Sequence, residues 1–395
     1  MVDEVHFCPV CRSVGTRPLL ALKESPIYLH PVNADCLVPH PHTMDLDYRQ
    51  CLDCGHAFQI DYDVKMLSRI YRNHYYTPCA EGVGVGARVD FIEYLRQLSQ
   101  QWERRPRRVL EVGCSSGDVL NEVRALLGLN FCDVQGVEPN CETATAARRL
   151  GLSVREEFFD LGLAIKLGTY DLVYSRHVVE HVDELEPFLR GLHQVADDQG
   201  VVILETPALD RCLRERMDAG FHVEHLHLFS MQSLAVAATS AGLTLINHFE
   251  TPLGNQIGVF QAKGRPMALP KTDTDADLQS VRDRRRQWWQ RELSSRSATL
   301  WGAGSAARIL IGETGCEPTA ICDGNPGKAG KKFVGLPFRI ESAPGYIVGL
   351  VSAGADKRGV LVAASMFFSE IKEEVHRLGW RGDVIGLYDY KAAGL

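Results

Sequence analysis

The sequence predicts an α/β protein, with a small cysteine-rich start followed by two strand–turn–helix units. Three observations predict it. Two Cys-x-x-Cys pairs stand near the beginning, Cys8/Cys11 and Cys51/Cys54. A short apolar run, a glycine-containing turn and helically spaced apolar residues occupy 107–126. The same pattern returns at 297–311. A chain of 395 residues can form two or three domains that each bury a core. Its 45% apolar and 24% charged residues are the mix of an ordinary globular protein.

No run of 18 or more apolar residues occurs, so no membrane-spanning helix is expected. The start, MVDEVHFCPVC, lacks the basic and apolar regions of a signal peptide, and the expected location is the cytoplasm. A formal charge of −7 argues against a nucleic-acid partner. The basic stretches at 104–108 and 282–291 are read as solvated faces. Twelve cysteines in such a chain should be thiols or metal ligands rather than disulfides. Those standing singly, such as Cys114, Cys132, Cys141 and Cys212, read as small buried thiols.

CPVC and CLDCGH lie roughly forty residues apart, more than the usual short ribbon spacing. Each pair puts two thiolates on one tight turn, and two turns complete a tetrahedral sulfur site. Cys8, Cys11, Cys51 and Cys54 are therefore expected to hold zinc. Four thiolates leave no position for water, so that zinc is structural. Gly55 suits a turn residue with positive φ. His56 is read as a surface residue. Redox Cys-x-x-Cys chemistry is the alternative, but it accounts for one pair and not for two.

RRVLEVGCSSGDVLNEVRAL (107–126) reads as strand, turn and helix. Gly113 and Gly117 bracket a turn with so little side chain that backbone N–H groups can approach a ligand. FCDVQGVEPN (131–140) is a second strand ending in Glu138, about twenty residues on, where a carboxylate can accept ribose hydroxyls. YDLVYSRHVVEHV (170–182) and GVVILETP (200–207) supply two further buried strands. The string His177-Val-Val-Glu180-His181 also matches a zinc-protease pattern that needs both histidines on one helix face.

The sequence E-V-G-C-S-S-G-D, then V-E-P-N, then Y-D-L-V-Y-S-R-H-V-V-E-H-V resembles a class I S-adenosylmethionine-dependent methyltransferase. That resemblance implies that Gly113, Ser115 and Gly117 line the methionine end of the cofactor and that Glu138 holds the ribose. It places Glu111 at the strand end below the turn. It puts Glu156 or its neighbour, on the third strand, near the adenine.

Residues 262–280 are polar and proline-bearing and read as a linker, and 281–295 as a connecting helix. SATLWGAGSAARILI (297–311) and ICDGNPGKAG (321–330) then form a smaller nucleotide-type unit. The expected division is 1–66, a zinc-binding knuckle; 67–265, a central Rossmann-like class I methyltransferase domain; and 281–395, a smaller C-terminal Rossmann-like α/β domain.

In that order the three parts resemble the zinc-binding nucleotide-deoxysugar C-methyltransferases of bacterial secondary metabolism, including antibiotic biosynthesis. The group's E-H-L and F-S strings stand here as Glu224-His225-Leu226 and Phe229-Ser230. Its tyrosine-rich segment resembles residues 71–77. The resemblance implies methylation of a carbon beside a ketone, with His225 as base and Glu224, His181 and Tyr76 in support. A histidine suits a base at neutral pH. The chain departs from the group at His222 and Leu228, where tyrosine is usual, at His227, where serine is usual, and across 26–44. Those departures bear on the substrate. The roles of His222 and His227 stay open, and so does methylation of another small metabolite at carbon, nitrogen or oxygen. An RNA-binding methyltransferase is the third alternative. The partners implied are a small molecule, a nucleotide-linked sugar, and neither nucleic acid nor membrane.

Overall fold

The structure is a computed structural model that describes residues 6–38, 41–73, 85–102, 104–218, 220–294, 296–354, 359–364 and 368–391. The chain forms two compact units. The first comprises Met1–Leu20, Asp47–Ala80 and Gly84–Ala276; the second comprises Ala21–Leu46, Glu81–Val83 and Asp277–Leu395. Residues 1–66 are thus divided between the two.

The first unit is built on a seven-stranded sheet. Its strands are β1 (Val109–Val112), β2 (Val134–Val137), β3 (Ser153–Arg155), β4 (Tyr170–Arg176), β5 (Ala196–Pro207), β6 (Thr244–Glu250) and β7 (Asn255–Gln261). Their spatial order is β6-β7-β5-β4-β1-β2-β3. β1 to β5 run parallel, and β7 lies antiparallel to both β5 and β6. Helices α1 (Asp118–Leu127), α2 (Cys141–Arg149) and α3 (Leu185–Val195) form crossovers.

All four residues of β1 are buried, as a strand covered on both faces requires. Alternate residues of one strand therefore enter different cores. Leu110, Val173 and Leu204 join Phe188 and Leu192 on one face. Val109, Leu172 and Ile203 join Leu120 and Val123 on the other. Strand order reverses between β1 and β4, which creates a crevice beyond their carboxyl ends.

The segment 221–230 is mostly turns. Only His227–Leu228 forms a strand, antiparallel to Ala57–Phe58. His225 therefore sits on a turn rather than in a strand. His177, Glu180 and His181 do not share an α-helix either: Val179–His181 is a single 3-10 turn, and His177 has φ of +51°. The protease pattern lacks the geometry it needs. The linker is strapped to its own unit, with Gln50 Nε2 donating to the carbonyl of Asp273 at 2.9 Å.

The second unit has its own sheet: β8 (Ser297–Trp301), β9 (Ala320–Asp323), β10 (Ile340–Ser342), β11 (Gly359–Ala363) and β12 (Asp383–Gly386). Its order is β10-β9-β8-β11-β12, parallel throughout. The connecting helix is α4 (Leu278–Leu293). Two of its arginines correct the reading of 282–291 as a solvated face. Arg282 and Arg285 are buried and pair with Glu313 at 3.3 and 2.7 Å. Trp289 and Leu293 turn that helix face inward, and one carboxylate offsets the cost of burying the cations.

Candidate active site

The glycine turn sits at the carboxyl end of β1. Gly113 and Gly117 both have φ of +80°, and Ser115 has φ of +49°. Space as well as backbone angle requires glycine at 117. A Cβ there would lie 2.5 Å from Leu152 Cδ1 and 2.9 Å from Ala147 Cβ, so the bare position lets α1 and α2 close together. At 113 a Cβ would meet Val178 Cγ2 at 2.3 Å.

Glu138 follows β2 and is buried. Its Oε2 accepts from the Ser115 N–H and its Oε1 from the Asn140 N–H, both at 2.9 Å. Burial raises its pKa, against the pull of those two donors. Asn140 in turn caps α2, its side-chain oxygen accepting from Glu142 and Thr143. Glu111 is buried beneath the turn, accepting from Tyr174 Oη at 3.1 Å. Burial pushes its carboxyl up to about 8, with Arg176 opposing. Glu156 lies just past β3 and pairs with Arg148 at 2.8 Å, both side chains 40% exposed.

A second group of side chains stands beyond β4 and β5. His225 is buried, and its Nδ1 lies 2.7 Å from the carbonyl of Gly220. A carbonyl only accepts, so Nδ1 carries the hydrogen and Nε2 keeps its lone pair. Burial and the nearby His222 and His181 hold His225 well below the usual histidine range, so it is neutral at pH 7. His222 packs against it, ring centroids 3.7 Å apart. Tyr48 Oη fixes this turn by donating to the carbonyls of His222 and His225 at 2.8 and 2.7 Å.

His181 Nδ1 lies 2.7 Å from both the Glu224 carbonyl and Tyr71 Oη. Glu224 thus meets His181 through its backbone, while burial pushes its own carboxyl up to about 7. Glu180, His181 and His225 bring one donor atom each to within 4.8 Å of the others. His177 lies between two carboxylates, Glu180 at 3.3 Å and Glu205 at 3.6 Å. Burial would lower its pKa, but the two carboxylates outweigh burial and lift it to about 9. Tyr76 lies outside the described residues.

His227 has a different place. Its Nε2 is 2.9 Å from the Val182 carbonyl and its Nδ1 is 3.0 Å from His56 Nε2. It joins the segment 221–230 to the cysteine region. His56, expected at the surface, is fully buried against His227 and Phe229. The strand pairing of Ala57–Phe58 with His227–Leu228 covers it.

The four cysteine sulfurs lie within 4.8 Å of one another, with Cys8–Cys54 at 3.6 Å and Cys11–Cys51 at 3.5 Å. Those separations are too long for disulfides, which need about 2.05 Å. A tetrahedron with metal–sulfur bonds of about 2.3 Å has edges near 3.8 Å, so the donor set fits zinc. Gly55 has φ of +75°, as expected, and Arg12 has φ of +63° on the first turn. Cys132 and Cys141, by contrast, are exposed rather than buried.

Residues 87–248 match the family model described as a methyltransferase domain. This segment is a methyltransferase domain. It holds all five parallel strands, the glycine turn and Glu138, on the Rossmann-like class I fold. Over 184 residues the chain is 28% identical to C-methyltransferase NovU of Streptomyces niveus, covering 43% of this chain and 42% of that one. It is 26% identical to ajmaline N-methyltransferase of Rauvolfia serpentina over 36% of this chain and 54% of that one. A ubiquinone biosynthesis O-methyltransferase of Caulobacter sp. is 36% identical over 27% of this chain and 42% of its own. The chain spans about half the length of these curated relatives. The CcbJ methyltransferase of Streptomyces caelestis aligns over 50% of this chain and 96% of its own, at 15% identity and a TM-score of 0.37. No helix among the described residues is long and apolar enough to cross a membrane.

Sequence reasoning did not place Tyr48, Tyr71 or Glu180 beside His225 and His181, where the structure puts them. Tyr71 opens the tyrosine-rich string and Glu180 stands in the histidine string, so both carried a signal. Tyr48, 174 and 177 residues from the carbonyls it holds, carried none.

Proposed function

We propose that this protein is a cytoplasmic enzyme that transfers the methyl group of S-adenosylmethionine to a carbon beside a ketone, on a nucleotide-linked deoxysugar. The observation that carries it is the tautomer of His225: pinned through Nδ1 to Gly220, it offers an Nε2 lone pair as proton acceptor. Bound S-adenosylmethionine supplies an electrophilic methyl group. Gly113, Ser115 and Gly117 would lie against its methionine end, Glu138 against its ribose, and Glu111 and Glu156 would flank it. The fit rests on Glu138, whose two oxygens each hold one N–H and keep lone pairs for hydroxyl donors. His181, Tyr76 and Glu224 would stabilise the developing enolate and orient the base. A structural zinc would sit among Cys8, Cys11, Cys51 and Cys54, organising residues 1–66 as a knuckle ahead of a methyltransferase domain (67–265) and a C-terminal domain (281–395).

The names of the relatives, which describe C-, N- and O-methylation, favour a second reading: transfer to another atom of a small metabolite. Exchange of the acceptor's α-proton with deuterated water separates the two. The carbon reading expects exchange that needs His225 and no methyl donor. Full turnover without any exchange in the wild type, and undiminished by His225→Ala, would move the proposal to oxygen or nitrogen.

A further inference from the structure

We propose that Glu180, His181 and His225 form a second metal site, for a divalent transition metal of the zinc type, separate from the four cysteines. Among the described residues only these two groups bring three or more such donors together. A metal-binding imidazole must present one bare nitrogen while the other is held by an outer partner. Both histidines do so. His181 gives its Nδ1 hydrogen to the Glu224 carbonyl and His225 gives its own to the Gly220 carbonyl, each at 2.7 Å. Each Nε2 therefore keeps its lone pair.

Glu180 is held in the same way. It is fully buried, with Thr206 Oγ1 donating to Oε2 at 3.0 Å and His177 Nδ1 3.3 Å from Oε1. A carboxylate has about four acceptor positions, so lone pairs remain for a metal. Two imidazoles and one carboxylate suit zinc, cobalt or nickel better than calcium or magnesium, which prefer all-oxygen sites. Three ligands leave a position open, unlike the closed cysteine set.

The site stands on geometry and does not require the methyl-transfer reading. Where that reading holds, metal on His225 Nε2 occupies the lone pair that takes the proton. Base catalysis and metal loading at this position exclude each other, so added metal suppresses turnover.

The test uses the full chain produced in zinc-depleted medium supplemented with cobalt(II) and then dialysed against low-micromolar cobalt(II), with metal per chain and the visible spectrum recorded. We expect two equivalents. One shows thiolate-to-cobalt charge transfer; the other shows only ligand-field bands and is displaced by zinc. His181→Asn and His225→Gln should each lose the second equivalent and keep the first. Glu180→Gln should weaken the second tenfold or more. A wild type that binds one equivalent with thiolate bands alone overturns the site, as does a second equivalent that survives in both histidine variants. One equivalent without thiolate bands, lost in His181→Asn, upholds this site and removes zinc from the cysteines. Activity is not read, so failure of the methyl-transfer reading leaves the result intact.

Discussion

The carboxylate of Glu138 accepts the backbone N–H of Ser115 at 2.9 Å, tying the end of β2 to the glycine turn after β1. One side chain thus shapes the turn and offers acceptors to a ligand seated on it. The second unit repeats the arrangement, with Asp323 accepting the Ala303 N–H at 2.7 Å. Replacing Glu138 with alanine should cost S-adenosylmethionine on the order of 1.5–3 kcal/mol in binding, the loss of a hydrogen bond to a charged group. Calorimetry giving an unchanged affinity would remove Glu138 from the cofactor site.

His225→Ala should retain cofactor binding and lose roughly 10²–10⁴ in turnover, the usual contribution of a general base. Binding and turnover measured on one preparation separate this from misfolding. Near-normal turnover would take the residue out of the mechanism.

Purified protein should carry zinc at Cys8, Cys11, Cys51 and Cys54, and Cys51→Ser should lose it. Metal binding of this kind is folding free energy. The loss should therefore loosen the buried contact of His56 with His227 and lower the melting temperature. Metal analysis showing full retention of the cysteine-bound zinc in the variant would refute the site.

Glu111 makes stability depend on pH in a defined direction. Its folded carboxyl keeps a proton to about pH 8, whereas unfolded chains release it near 4.5. Between those values the folded state binds more protons, so stability falls as pH rises. Arg176, which favours the charged form, and Glu138 and Asp118, which oppose it, are the charges that face it. Glu111→Gln removes the titration and should be more stable than wild type by a few kcal/mol, as an order of magnitude, at pH 8. The gap should vanish toward pH 4.5. Parallel stability curves in urea across that range would contradict the assignment.

Gly117→Ala should destabilise the fold by about 1–3 kcal/mol, because it adds a Cβ at positive φ against Leu152 and Ala147. Urea unfolding measures it. A loss below about 0.5 kcal/mol would mean that α1 and α2 part easily.

Local pattern made much of this protein legible. The apolar runs that became β1, β2 and β4 read as strands because a strand covered on both faces tolerates little else. Gly113, Gly117 and Glu138 read as one turn because their spacing follows from a single βαβ unit. The two Cys-x-x-Cys pairs read as one site because tetrahedral sulfur needs two turns. The partners of these groups were harder to see. Arg282 and Arg285 looked like solvent-facing charges until Glu313, some thirty residues on, buried them. His56 looked like a surface histidine until the strand at His227–Leu228 closed over it.

The sequence by itself therefore determined the class I methyltransferase core, its glycine turn and the cysteine donor set. All of these are built from short motifs whose internal spacing the backbone fixes, even where two such motifs stand some forty residues apart, as the cysteine pairs do. Only the tertiary structure decided what each histidine touches. His222, His225 and His227 stand within one short segment of the chain. Their protonation and freedom come from the Gly220 carbonyl, the His181 and Glu180 side chains and the His56 ring, which packing alone brings to them. A hydrogen bond to a carbonyl contributed by a distant or folded-back segment leaves no periodic mark in the sequence, yet it sets which nitrogen keeps its lone pair.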